Sequence, residues 1–261
     1  MPNINQVTTL SRRALHVFYV LDTSGSMRGL PIQRLNISMR ESMNALQQVA
    51  YHNGDAQLKV AVLEFNSNWH WMQKDGPEDI DDFLWEDMIA AGLTNIGAAL
   101  DELNARLSKD QFLRSSTGFL MPVIIFMTDG FATDNYEEAL ARIKQNHYFR
   151  DATRIGFAIG DNPDVAMISD LTGSNESVIR TDDLGLFANL LRFVSVGVSQ
   201  RVSRSHGYQE TSLAHDVLSD ALNQANAYVD KSGMTVRVLD AESEPLKVEV
   251  VDGGHAWDDP E

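Results

Sequence analysis

Short runs of apolar residues alternate along the chain with stretches in which apolar residues recur at three- and four-residue steps. The runs are Leu15–Leu21, Leu58–Phe65, Met121–Met127 and Ile155–Ile159, rich in Val, Ile and Phe and only lightly interrupted. Parallel strands covered by helices on both faces have this character. Between them, Ile32, Leu35, Met39, Met43, Leu46 and Val49 share one helical face, as do Ile96, Leu100, Leu103 and Leu107. Each of these helices is entered from a polar loop, and Pro31 suits a first helical turn, where its missing N–H costs nothing. Tyr136–Ile143, Val165–Leu171 and Leu184–Val198 read as further helices. The alternation predicts an α/β domain built on a mostly parallel sheet.

After Ser203 the character changes. Leu213, Val217, Leu218, Leu222 and Ala225 keep helical spacing, and Thr235–Leu239 and Leu246–Val251 alternate like two strands. Residues 205–261 hold 12 acidic and 3 basic side chains, so more than half of the net charge of −16 lies in about a fifth of the chain. The expected organisation is a lead-in over 1–12, a domain over 13–204 and an acidic, partly structured appendage over 205–261. A second acidic stretch, Asp75–Asp87, reads as a solvated loop or helix anchored by Phe83, Leu84 and Trp85.

The charge narrows the choice of partner. A chain at −16 repels phosphate backbones and anionic lipid, so nucleic acid and membrane surfaces are not expected, whereas a cation or a basic partner is. No run of about 18 apolar residues is present to cross a bilayer. The absence of cysteine removes disulfides, thiolate metal sites and cysteine nucleophiles, and fits a reducing compartment, with the cytoplasm as the expectation. Arg12-Arg13 ahead of an apolar run superficially resembles a twin-arginine export signal. The run is short, contains His16 and ends in Asp22 without a small-residue cleavage site, so a buried first strand is the better reading.

The chemistry concentrates where the first strand ends, in Asp22-Thr23-Ser24-Gly25-Ser26. Alternation lets a turning loop aim one carboxylate and two hydroxyls at a single point, a set of hard oxygens suited to Mg²⁺ or Mn²⁺. Helix capping and turn formation use the same residue types. Two further segments stand where neighbouring loops of an α/β fold converge. Thr94 opens the Ile96–Leu107 helix, and Asp129 follows the third apolar strand within Thr128-Asp129-Gly130. None of the seven His falls in these loops, and there is no Gly-x-Ser-x-Gly elbow. A phosphatase-like Asp nucleophile would want a second acid where Ser24 stands. Gly160–Asp164 is a turn, and Phe65–Met72 an edge strand or hairpin packing its own aromatics.

Together, Asp22-x-Ser24-x-Ser26, Thr94 and Asp129 resemble the metal-ion-dependent adhesion site (MIDAS) of the von Willebrand factor type A family, in order and in spacing, over about residues 13–200. Val20–Ile32 and Gly92–Gly97 further resemble the small intracellular bacterial members associated with tellurium-resistance and stress clusters. The resemblance implies a Rossmann-like three-layer α/β/α fold with Mg²⁺, or Mn²⁺ or Ca²⁺ in its place, at the top of the sheet. Ser24, Ser26 and Thr94 would offer hydroxyl oxygens to the metal, directly or through water. Asp22 and Asp129 would supply charge, and an open position would accept an Asp or Glu carboxylate of a partner protein. The implied role is binding rather than catalysis, as a scaffold in a bacterial stress-response or defence system with a kinase or phosphatase. An adaptor for an AAA+ ATPase is the alternative, and a Mg²⁺-dependent hydrolase the least favoured.

Overall fold

The computed structural model describes residues 12–52, 56–160, 162–181, 184–204, 210–229, 234–238 and 246–252. Its first strand, β1 (Arg13–Asp22), is buried along almost its whole length and lies between β2 (Ala56–Phe65) and β5 (Val123–Thr128), parallel to both. The sheet continues in parallel through β6 (Thr153–Ile159), β7 (Val178–Thr181) and β9 (Leu246–Asp252). Antiparallel strands close its ends: β3 (Trp69–Trp71) and the short β4 (Glu78–Asp79) on β2, and β8 (Met234–Val238) on β9. The order is β3-β2-β1-β5-β6-β7-β9-β8.

Alternate residues feed two cores. Leu15, Val17, Tyr19 and Leu21 of β1 point to one face and pack with α1 (Leu30–His52), α6 (Leu184–Arg204) and α7 (Glu210–Val229). Phe18 and Val20 point to the other, against α2 (Ile96–Arg106), α3 (Tyr136–Ile143), α4 (His147–Arg150) and α5 (Val165–Thr172). This is a Rossmann-like α/β/α sandwich, and the near-continuous apolar strands follow from burial on both faces. One buried polar bridge spans the first core, where the Tyr19 hydroxyl donates to Ser195 Oγ at 2.9 Å.

β5, the strand of the third apolar run, starts later than that run suggests, because Pro122 has no N–H for the ladder and only its carbonyl is used, accepting from Thr153 N at 3.1 Å. Phe65–Met72 does form an edge hairpin: Trp71 is buried with its ring edge-on to Phe18 and Phe112, while Trp69 is exposed. In the acidic stretch Ile80 and Phe83 anchor a loop, but Leu84 is exposed. Asp161 of the Gly160–Asp164 turn, most of the 1–12 lead-in, and residues 205–209, 230–233, 239–245 and 253–261 lie outside the described residues.

What matters for function is where the strand order reverses. From β1 the chain crosses to β2 on one side and later to β5 on the other, so a crevice opens between the carboxyl ends of β1 and β5. The register makes those ends level, with Leu21 opposite Met127 and Asp22 one step beyond. Ligand sites of open α/β sheets form in such crevices.

Candidate metal-binding site

Asp22 is the last residue of β1 and is fully buried. Its Oδ1 accepts the Ser24 N–H at 2.7 Å, which turns the chain sharply, and its Oδ2 accepts the Thr128 hydroxyl from the end of β5. The turn carries Ser24 into a position where its Oγ lies 2.9 Å from Ser26 Oγ. Ser26 Oγ in turn donates to Asp129 Oδ1 at 2.7 Å. Four of the five residues singled out by sequence therefore form one hydrogen-bonded chain, from a buried carboxylate through the Ser24 N–H and two hydroxyls to a half-buried carboxylate, with the exposed Ser26 at the mouth.

Thr94 arrives from the loop before α2. A Cβ built on Gly130 would stand 3.8 Å from Ser26 Oγ and 3.9 Å from Thr94 Oγ1, so both hydroxyls border the space that this glycine leaves free. All five residues thus meet at the crevice between β1 and β5.

The loops are stitched together by bonds that sequence reasoning did not identify. Gly25 N donates to Gly92 O at 3.0 Å and Ala91 N to Thr23 O at 2.8 Å, tying the Thr94 loop to the Ser24 loop. Thr94 N donates to Thr133 Oγ1 at 3.0 Å, and Thr133 N returns to Thr94 O at 2.9 Å, tying it to the Asp129 loop. Asp134, further along that loop, accepts from Gly97 N at 3.0 Å and Ala98 N at 2.9 Å and so satisfies the start of α2. Gly92 adopts φ +77°, and a Cβ there would lie 2.5 Å from Ser67 Oγ, so only glycine fits. Thr133 and Asp134 had no local signal, because their partners are nearly 40 residues away. Thr128 sits beside Asp129 in the motif, and its role was readable only from the fold.

Both carboxyl groups are biased toward protonation. Burial pushes Asp22 from 3.8 up to about 6 against the opposing effect of its hydrogen bonds, with repulsion from Asp129 adding to the rise. Burial also raises Asp129, partly offset by its bond from Ser26. Two like charges held near each other and out of water are stabilised by a cation between them. Among the described residues no group of three His, Asp or Glu side chains could hold a metal. A donor set of two carboxylates and three hydroxyls, all hard oxygens, fits a small divalent ion such as Mg²⁺.

A model of the von Willebrand factor type A domain matches residues 16–192. The chain belongs to that family. Solved structures carry the same fold. A von Willebrand factor type A protein from Catenulispora acidiphila superposes with a TM-score of 0.54 at 14% identity, covering 71% of this chain and 42% of its own. Proximal thread matrix protein 1 from the mussel byssus gives 0.52 at 16% identity, covering 72% and 48%. Another structure of the byssus protein, with zinc in its MIDAS motif, gives 0.50 at 18% identity, covering 71% and 46%. This von Willebrand type A chain spans less than half the length of each. No curated protein matches it. No helix among its described residues is long and apolar enough to cross a membrane.

Proposed function

We propose that the chain is a metal-dependent protein-interaction module whose MIDAS holds a divalent cation and docks an acidic side chain of a partner protein. The observation that carries this reading is the convergence of Ser24, Ser26, Thr94 and Asp129 at one crevice, linked to Asp22, without a third carboxylate or an imidazole among them. Ser24, Ser26 and Thr94 would hold the ion through hydroxyl oxygens, and Asp22 and Asp129 would balance its charge. Neutral ligands leave such an ion electrophilic, so it supplies a Lewis-acid contact for one more carboxylate. Hard oxygens favour Mg²⁺, with Mn²⁺ or Ca²⁺ able to substitute. The zinc in the MIDAS of the byssus protein supports the site's use for divalent metal.

Binding is favoured over catalysis because the five residues include no imidazole and no third carboxylate, the further ligands and base on which a metal hydrolase draws. Exposed apolar side chains flank the motif, with Leu93 beside Thr94 and Phe131 two residues beyond Asp129, each 55% exposed, as suits a rim that excludes water around a central contact. We place the module in a cytoplasmic bacterial stress-response or defence system, as a scaffold working with a kinase or phosphatase, in keeping with the tellurium-resistance-like motif sequence. The test is affinity capture from a lysate with Mg²⁺ and with chelator. A partner should be retained by the wild type with Mg²⁺ and released by chelator, and Asp22→Ala and Thr94→Ala should not capture it. Capture unchanged by all three perturbations overturns the metal-bridge reading.

A further inference from the structure

At the opposite end of the sheet the local charge has the other sign. His16 and Lys59 are register partners in β1 and β2, six residues before Asp22 and therefore about 20 Å from it along the strand. They open onto a cavity of about 440 Å³ that Lys74, Arg106 and Arg114 also line, with Asp75 and Asp110 as the acidic residues on its wall. Four cations thus face two carboxylates, in a chain whose net charge is −16.

Arg106 is already paired with Glu102, and the other three cations are not used up by the fold. Arg106 is braced, its Nε donating to Glu102 at 2.7 Å and Nη1 to Gln111 at 3.3 Å, with its guanidinium 5.3 Å from the Phe112 ring centre. Arg114 donates to the backbone carbonyl of Asp110 at 2.9 Å. Among the described residues Lys59, Lys74 and Arg114 make no ion pair. His16 is only 1% exposed, and neither ring nitrogen has a hydrogen-bond partner among the described residues. The ring is fixed by stacking on Phe18 and by the edge of Phe119. Burial and the neighbouring Lys59 lower its pKa to about 4, so the imidazole is neutral near pH 7 and retains one N–H donor. An unpartnered buried imidazole is costly to the fold on its own.

We propose that this cavity binds the phosphoryl group of a small phosphorylated molecule. Lysine and arginine side chains recognise phosphate through charge-assisted hydrogen bonds, and four of them line this cavity. The size is that of a small-molecule pocket. A polyanionic macromolecule is disfavoured by the negative charge of the rest of the surface. Gly76, at φ +112°, lets the connection between β3 and β4 close over Phe112 and form one wall, since a Cβ there would stand 3.2 Å from the ring.

Calorimetric titration of the full chain, in chelator and low salt, tests the proposal with inorganic phosphate, adenosine monophosphate and sulfate at matched ionic strength. Saturable binding of phosphate or the monophosphate with a Kd below about 1 mM is expected. The surface double variant Lys74→Gln/Arg114→Gln should weaken it about tenfold or more, and Asp129→Ala should leave it unchanged. Tighter binding of the nucleotide assigns an organic phosphoester, and equal affinity assigns the phosphate ion. The proposal is overturned by no saturable heat up to about 10 mM, by sulfate binding as tightly, by an unaffected double variant, or by loss of binding in Asp129→Ala.

Discussion

Replacing Asp22 by Asn should stabilise the metal-free protein at neutral pH. The carboxylate is fully buried, and burial raises its pKa from 3.8 to about 6. A group whose pKa is higher folded than unfolded contributes stability that is complete below the unfolded value and lost as pH rises through the folded one. Above about pH 7 the shift corresponds to about 3 kcal/mol against the fold, at 1.36 kcal/mol per pKa unit, falling below about 1 kcal/mol at pH 4. Asn removes the charge but keeps an oxygen for the Ser24 N–H, and the Thr128 hydroxyl can rotate to accept from the new amide. Urea denaturation in chelator should show the variant more stable by about 1–3 kcal/mol at pH 8, the gap closing toward pH 4. Saturating Mg²⁺ should then favour the wild type alone. A variant no more stable than wild type at pH 8, or a gap indifferent to pH, would refute the electrostatic account of the site.

Other perturbations test separate parts of the structure. Mg²⁺ at about a hundred times its Kd should stabilise the wild type by about 2.7 kcal/mol in thermal unfolding, and Ser26→Ala or Thr94→Ala should remove most of that gain while leaving metal-free stability nearly unchanged. Gly92→Ala should cost about 1–3 kcal/mol in denaturant unfolding, because a Cβ at φ +77° meets Ser67 Oγ, which itself accepts from Leu93 N; a neutral result would mean that the loop relaxes. Tyr19→Phe should cost about 1–2 kcal/mol by orphaning Ser195 in the core, and the double variant with Ser195→Ala should recover part of it in a denaturation cycle.

Much of this architecture was legible because burial on both faces writes itself into the chain as apolar runs. β1, β2 and β6, and the helices α1, α2, α3 and α5, follow the periodicity closely. Short elements did not announce themselves: β4 has two residues and α4 only four, fewer than a periodicity needs. α6 runs past Val198 to Arg204, because polar Ser199, Gln200 and Ser203 interrupt its apolar stripe although Ser199 and Ser203 are buried. At the site, Asp22, Ser24 and Ser26 share five residues of sequence and could be grouped by eye. Thr133 and Asp134 could not, since what gives them meaning is the approach of α2 to the loop after β5.

The stitching of the three loops has a kinetic consequence. Gly25 to Gly92, Ala91 to Thr23, Thr94 to Thr133 and Asp134 to the start of α2 are all bonds between protein atoms that need no ion. The ligand loops therefore keep their places when metal leaves, and rebinding requires dehydration of the ion but no refolding of the crevice. Partner release by chelator should be fully reversible, and stopped-flow recovery on adding Mg²⁺ should follow a single phase whose rate rises linearly with Mg²⁺ concentration, without a slow conformational step.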